Sequence, residues 1–169
     1  MDFPSEFVAL RDRLAAAQDE RFISRQNAEV AGRTAALLSY FDMSSERKLL
    51  GLMALGGVGH AYEYRLMFAA PALSEHALAG WWEYAEAAER ELVQPGRNHD
   101  FSLVSVILVT DRVEKPVQKA LKKLQGGRDF SSSGQGWSSV QMAAVSLEER
   151  RVYTNRMGAA LKNILKPLL

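Results

Sequence analysis

His60, His76 and His99 are the only imidazoles in a chain of 169 residues, and no two of them lie three to five residues apart. The sequence therefore offers no local histidine pair for a metal. His99-Asp100 stands before a long apolar run and supplies a base next to a carboxylate, the pairing used in general acid–base chemistry. Adjacent side chains on a strand point to opposite faces, so an ordinary hydrogen-bonded histidine is the favoured reading. Glu46-Arg47-Lys48 repeats the E-x-K string of metal-dependent nucleases. That chemistry sets a carboxylate on the metal and a lysine beside the attacking water. It also needs a second carboxylate upstream, and Asp42 lies only four residues away across an expected turn. The string is short enough to arise by chance. If the protein is an enzyme, His99, Glu46 and Lys48 are the candidates; otherwise no catalytic residue is assigned.

Other motifs carry less. Gly56-Gly57-Val58-Gly59 lacks the lysine-serine or the helix start of a phosphate loop and reads as a turn. Ser131-Ser132-Ser133-Gly134 lacks the G-x-S-x-G pattern of a nucleophile elbow. No cysteine is present, which removes disulfides, thiolate metal sites and cysteine nucleophiles. No metal and no cofactor is expected. Glu63, His99 and Trp137 are named as binding candidates.

These residues must be positioned by an alternation of helices and strands. Phe3, Phe7, Leu10 and Leu14 step by four, three and four, which predicts a helix within residues 1–20, capped by Asp2 or Ser5. Residues 20–32 are polar and read as a connector. Residues 33–69 read as a three-stranded meander: Thr34–Phe41, then Arg47–Leu55 after a turn, then His60–Phe68 after the glycines. Ser74 caps a helix over 74–93, with Leu78, Trp81, Ala85, Ala88 and Leu92 as its stripe. Trp81 is then core, Trp82 an edge or interface residue, and Trp81→Ala is expected to cost roughly 3–5 kcal/mol.

The run Phe101–Thr110 is apolar and β-branched, as suits a central strand covered on both sides. Asp111 and Glu114 resemble a capping box, but Pro116 favours a helix start at that proline. Residues 128–136 read as a strand edge or loop. Trp137–Ser146 alternates, Arg150–Thr154 follows a turn, and Asn155 caps a last helix bearing Met157, Leu161, Ile164, Leu165 and Leu168. The expected architecture is one α+β domain over residues 1–169. It has a mainly antiparallel sheet of about six strands under about four helices, with a βαββα half over 101–169.

Charge is uneven. Residues 1–90 hold 9 basic and 13 acidic side chains, and residues 91–169 hold 12 and 7. Lys115, Lys119 and Lys122 share one helical face, and Lys162 and Lys166 share another. Two separate solvated faces are expected, and nucleic acid is disfavoured because neither stretch holds aromatics for base stacking. No run of 18 apolar residues exists and the N-terminus lacks a leader pattern, so no membrane span and a cytoplasmic location are expected.

The chain resembles a bacterial family of small α+β domains of unknown function. The resemblance rests on Tyr40-Phe41, Ser45-Glu46-Arg47, Tyr62-Glu63-Tyr64 and His99 before the strand Ser102–Val109. It continues through Gly136-Trp137, Val140–Leu147, Tyr153-Thr154-Asn155 and Gly158, over roughly residues 35–166. The family pattern often has aspartate where this chain has Asn98 and Ser146. The resemblance implies a single-domain bacterial protein and supplies no activity. The resulting expectation is a non-enzymatic binding or assembly module, with a homodimer as the favoured partner state and an unknown small ligand or protein as the other partner. A metal-dependent nuclease-like enzyme is the alternative. A pocket joining His99 to Glu63 or Glu46 would favour chemistry; placement on opposite faces would count against it.

Overall fold

The computed structural model describes residues 2–49 and 53–169, with side chains throughout these except at 45–58. Helix α1 spans Phe3–Ala17. Asp2 caps it, its carboxylate accepting from the Ser5 amide at 3.0 Å. Phe7, Leu10 and Leu14 form its buried stripe. Strand β1 follows at Ile23–Val30, where a connector is expected. The expectation fails because β1 is an edge strand, mostly exposed and without polar–apolar alternation, so periodicity gives no signal. Its two-residue turn to the next strand, Ala31-Gly32, has positive φ at both positions (49° and 78°), as a tight hairpin requires. The Ala31 amide is tethered to the Glu91 carboxylate at 2.7 Å.

Strands β2 (Arg33–Leu49) and β3 (Met53–Ala69) are each 17 residues long and form one antiparallel hairpin. The expected turns at 42–46 and 56–59 are therefore strand, and the three-stranded meander of this region is β1-β2-β3 instead. Polar and glycine residues, the usual signals of chain reversal, here sit within paired strands. The register shift between Glu46 and Lys48 instead falls opposite Gly56-Gly57, where glycines accommodate an irregular ladder. The middle of the expected strand Arg47–Leu55, residues 50–52, lies outside the described residues.

Helix α2 (Glu75–Leu92) is capped by Ser74, as the sequence predicts. Strand β4 (His99–Thr110) then runs parallel to β3, α3 spans Lys115–Lys123 with Pro116 in its first turn, and β5 (Trp137–Ser146) runs parallel to β4. Strand β6 (Arg151–Thr154) pairs antiparallel to β5, and α4 covers Leu161–Leu165. The six strands lie in sequence order in one sheet, with three of five pairings antiparallel. Among the described residues the chain is thus an α+β domain of six strands and four α-helices. Asn155 does not cap α4, whose first residue follows Ala160. It joins β5 to the turn before α4 (Met142 N–H and Gly158 N–H to Oδ1, both 3.0 Å). Met157 is exposed rather than core.

Two apolar clusters sandwich the sheet. On one face α2 and α3 cover Leu66, Phe68, Val104, Val106, Val140 and Met142. On the other, α1 and α4 cover Leu37, Met67, Ile107, Val109, Ala143 and Val145. The sandwich closes only one end of the sheet. Along β4 every residue from Val104 on is buried, whereas Asp100, Phe101 and Leu103 are half-exposed. Among the described residues no helix is long and apolar enough to cross a membrane.

Candidate functional site

The open end of the sheet gathers the chemistry-bearing side chains, and strand parity divides them between two faces. On the α1–α4 face, Glu63 and Arg65 stand two residues apart on β3. The Arg65 guanidinium donates twice to Glu63 Oε1 (3.0 and 2.8 Å) and once to Gln18 Oε1 (3.2 Å), with the Phe22 ring 4.4 Å away. Gln18, just past α1, donates to Ser39 Oγ at 2.7 Å, and Ser39 also meets Ser24 at 2.8 Å. Arg65 is only 9% exposed, so its charge has left bulk water and is held by one carboxylate and one amide. The cluster satisfies itself; it fixes the end of α1 onto β2 and β3.

The α2–α3 face carries an aromatic row. Tyr40, Tyr64, Tyr62 and His60 stack side by side with ring centres 6.1–6.4 Å apart, and Tyr62 also stacks on His99 at 6.2 Å. Burial pushes the Tyr64 hydroxyl up, assisted by Tyr62, Asp42 and Tyr40, and burial beside Asp42 does the same for Tyr62. His60 Nδ1 lies 3.0 Å from Asp42 Oδ1. His99 is 4% exposed, with Nδ1 2.6 Å from the Gln135 carbonyl and Nε2 2.8 Å from Ser102 Oγ. A carbonyl only accepts, so Nδ1 carries the proton and both ring nitrogens are engaged. The imidazole anchors the 130–136 loop to β4.

The structure thus places Glu63 and Trp137 on one face and His99 on the other. Trp137 is 41% exposed and stacks on Phe101, with ring centres 5.0 Å apart. Among the described clefts none joins His99 to Glu63. Glu46 and Lys48 lie on the β2 backbone near the hairpin end, and their side chains are outside the described residues. His76 is exposed. Helices α3 and α4 sit on opposite sides of the sheet, so their lysines form separate faces. The tryptophan pair is not split into core and edge: both are half-buried against the same cluster, and Trp82 covers Gly126 so closely that a Cβ there would lie 2.8 Å from its ring.

Sequence reasoning missed Arg65, whose signal is a charge on the inward parity of a strand that ends in Leu66-Met67-Phe68. It also missed the buried Glu89, which accepts from Arg128 Nε (2.8 and 2.9 Å) and from Ser138 Oγ (2.6 Å) and pins the 126–130 segment beside β5. No local pattern announces that tie, because its partners are 39 and 49 residues distant.

No curated protein and no solved structure matches the chain. Residues 9–167 match the family described as a domain of unknown function (DUF8052). The match spans both apolar clusters and both faces of the open end, and the chain belongs to this family.

Proposed function

We propose that the chain is a non-enzymatic binding and assembly module of the bacterial cytoplasm that joins a second copy of itself through the β2–β3 hairpin. The observation that carries this reading is where the ladders stop. Strand β1 pairs with β2 no further than Tyr40, and β4 pairs with β3 from His60 onward. Ser45–Leu49 and Met53–Gly59 pair with each other, and no other described strand flanks them. At about 3.3 Å per residue these residues carry the ribbon roughly 15–20 Å beyond the body. A lone two-stranded hairpin is marginal in water, and its outward N–H and C=O groups are a template for another strand. Twofold pairing of identical ribbons is the simplest closed way to cover both. The lack of cysteine suits a reducing compartment.

The nuclease-like alternative draws its support from the Glu46–Lys48 string. Among the described residues no three His, Asp or Glu side chains gather at metal-binding distance, and the Glu63 carboxylate is engaged by Arg65.

Light scattering at tens of micromolar tests the proposal. The expected mass is twice 18.8 kDa. Joining Glu46 to Val58 through Asn-Gly, in place of residues 47–57, keeps their pairing and closes a short hairpin. This variant should stay folded by circular dichroism and run as a monomer. A monomeric full-length chain, or a dimer that survives the shortening, would contradict the reading.

A further inference from the structure

The open half of the α1–α4 face is apolar and uncovered. Pairing register sets Met43, Ala61, Phe101 and Trp137 side by side in one row across β2, β3, β4 and β5. Met43 and Trp137 are 42% and 41% exposed, and Phe101 is half-exposed, its ring flat against the indole. Phe41 and Leu103, also half-exposed, stand in the next row. The charges that flank them are engaged: Arg65 holds Glu63, and Arg21, over the Phe41 ring, holds Asp19. At the margin the Asp100 carboxylate fills the space beside Gly59. An apolar patch with a polar rim is the anatomy of a protein contact.

The same chain carries a second apolar feature in need of cover. In the sequence, positions 49–58, from the end of β2 into β3, are Leu, Met, Ala, Val and Gly alone. Edge pairing satisfies the backbone of such a ribbon but gives its apolar residues nothing to lie on. The ribbon continues β2 and β3 away from the open face, so the two cannot meet within one chain. A twofold axis covers both, each ribbon taking the other copy's face. The dimensions agree. Helices α1 and α4 cover only the closed half, so the open half is a step about one helix, or roughly 10 Å, deep. A β layer packs on a sheet at that same spacing of about 10 Å. From Met43 to Trp137 the row is about 14 Å wide, room for two strands about 4.8 Å apart. A lipid bilayer would also accept the ribbon's residues but would leave the open face bare. We infer that the open α1–α4 face is the seat of the second copy's β2–β3 ribbon. The inference rests on the reading that a second copy joins through the ribbon, and names the surface that receives it.

Sedimentation equilibrium of the full chain gives the dimer dissociation constant, and two variants divide the contact. Trp137→Lys alters the face. Ala54→Glu with Leu55→Glu alters the ribbon, at adjacent positions that cover both sides of a strand. Each variant should weaken dimerisation about tenfold or more with an unchanged circular dichroism spectrum. An equimolar mixture should dimerise more tightly than either variant alone, because the face variant supplies an intact ribbon and the ribbon variant an intact face. Trp137→Lys dimerising as tightly as wild type, or a mixture no tighter than its components, would overturn the inference and leave a dimer through the ribbon standing. A monomeric wild type would overturn both. If that monomer sediments with phosphatidylcholine–phosphatidylglycerol vesicles, the ribbon belongs to lipid and the inference is likewise overturned.

Discussion

Asn155 shows how much a single side chain holds in this molecule. It is 1% exposed, receives the Met142 and Gly158 amides on Oδ1, and donates Nδ2 to the Leu124 and Val140 carbonyls at 3.2 Å each. One amide thus closes the edge of β5 just past the end of β6. Asn155→Ala strands several buried backbone groups and should cost about 3 kcal/mol, read as a denaturant midpoint. Asn155→Asp restores only the acceptor half and should remain clearly destabilised. Tyr84 is a second such case. Its hydroxyl donates to the Val30 carbonyl at 2.9 Å, and burial, opposed by Arg33, pushes its pKa up to about 12. The folded chain keeps this proton to higher pH than the unfolded chain, whose tyrosine titrates near 10.0. Stability from Tyr84 is therefore complete below about pH 10 and is lost as pH rises toward 12. Tyr84→Phe should cost about 1–2 kcal/mol at neutral pH and flatten the alkaline loss of stability, leaving the smaller part due to Tyr62, Tyr64 and Tyr153. An alkaline profile identical in wild type and variant would refute the assignment.

At the scale of elements, the helices were legible and the hairpin was not. The stripes of α1 and α2 and the caps Asp2 and Ser74 stand in the sequence because a helix buries one side at a period near 3.6. Strand β4 was legible as a buried run. Strand β1 was hidden because it is exposed, and the long β2–β3 ladder because Asp42-Met43-Ser44-Ser45 and Gly56-Gly57 carry turn chemistry inside strands. Of the site, Glu63, His99 and Trp137 were legible as residue types. Their division between two faces depends on pairing register, which no local pattern encodes. The Gly126-Gly127 pair follows α3, and its packing partners, Trp82 and Ser138, lie far off in sequence. Gly127 has φ 133°, and a Cβ there would run into the Ser138 carbonyl. Gly127→Ala should cost about 3 kcal/mol or more, through strain and the displaced 126–130 segment. Trp82→Ala should destabilise about as much as Trp81→Ala, each by roughly 2–4 kcal/mol, since both rings cover the same cluster. A Trp82→Ala midpoint matching that of a surface variant would contradict this packing.

On the scale of the whole molecule, the sheet has a closed half that carries stability and an open half that carries interaction surface. The closed half is sandwiched by two clusters whose largest members are wholly buried. The open half exposes Trp137 and Met43 and continues into a ribbon flanked by no other described strand. Such a division predicts that shortening the ribbon changes association and leaves the thermal midpoint of the body nearly unchanged. It also predicts that loss of core side chains, as in Leu108→Ala on β4, unfolds the body at a cost of about 3–5 kcal/mol whether or not the chain is assembled. The central claim is that the ribbon is completed by a second copy, and amide hydrogen exchange of the full-length chain tests it most directly. Amides within Ser45–Leu49 and Met53–Gly59 should exchange slowly at tens of micromolar and much faster on dilution below the dissociation constant, while β4 amides stay protected at both concentrations. Ribbon exchange that is fast at both concentrations, or slow at both, would contradict the account.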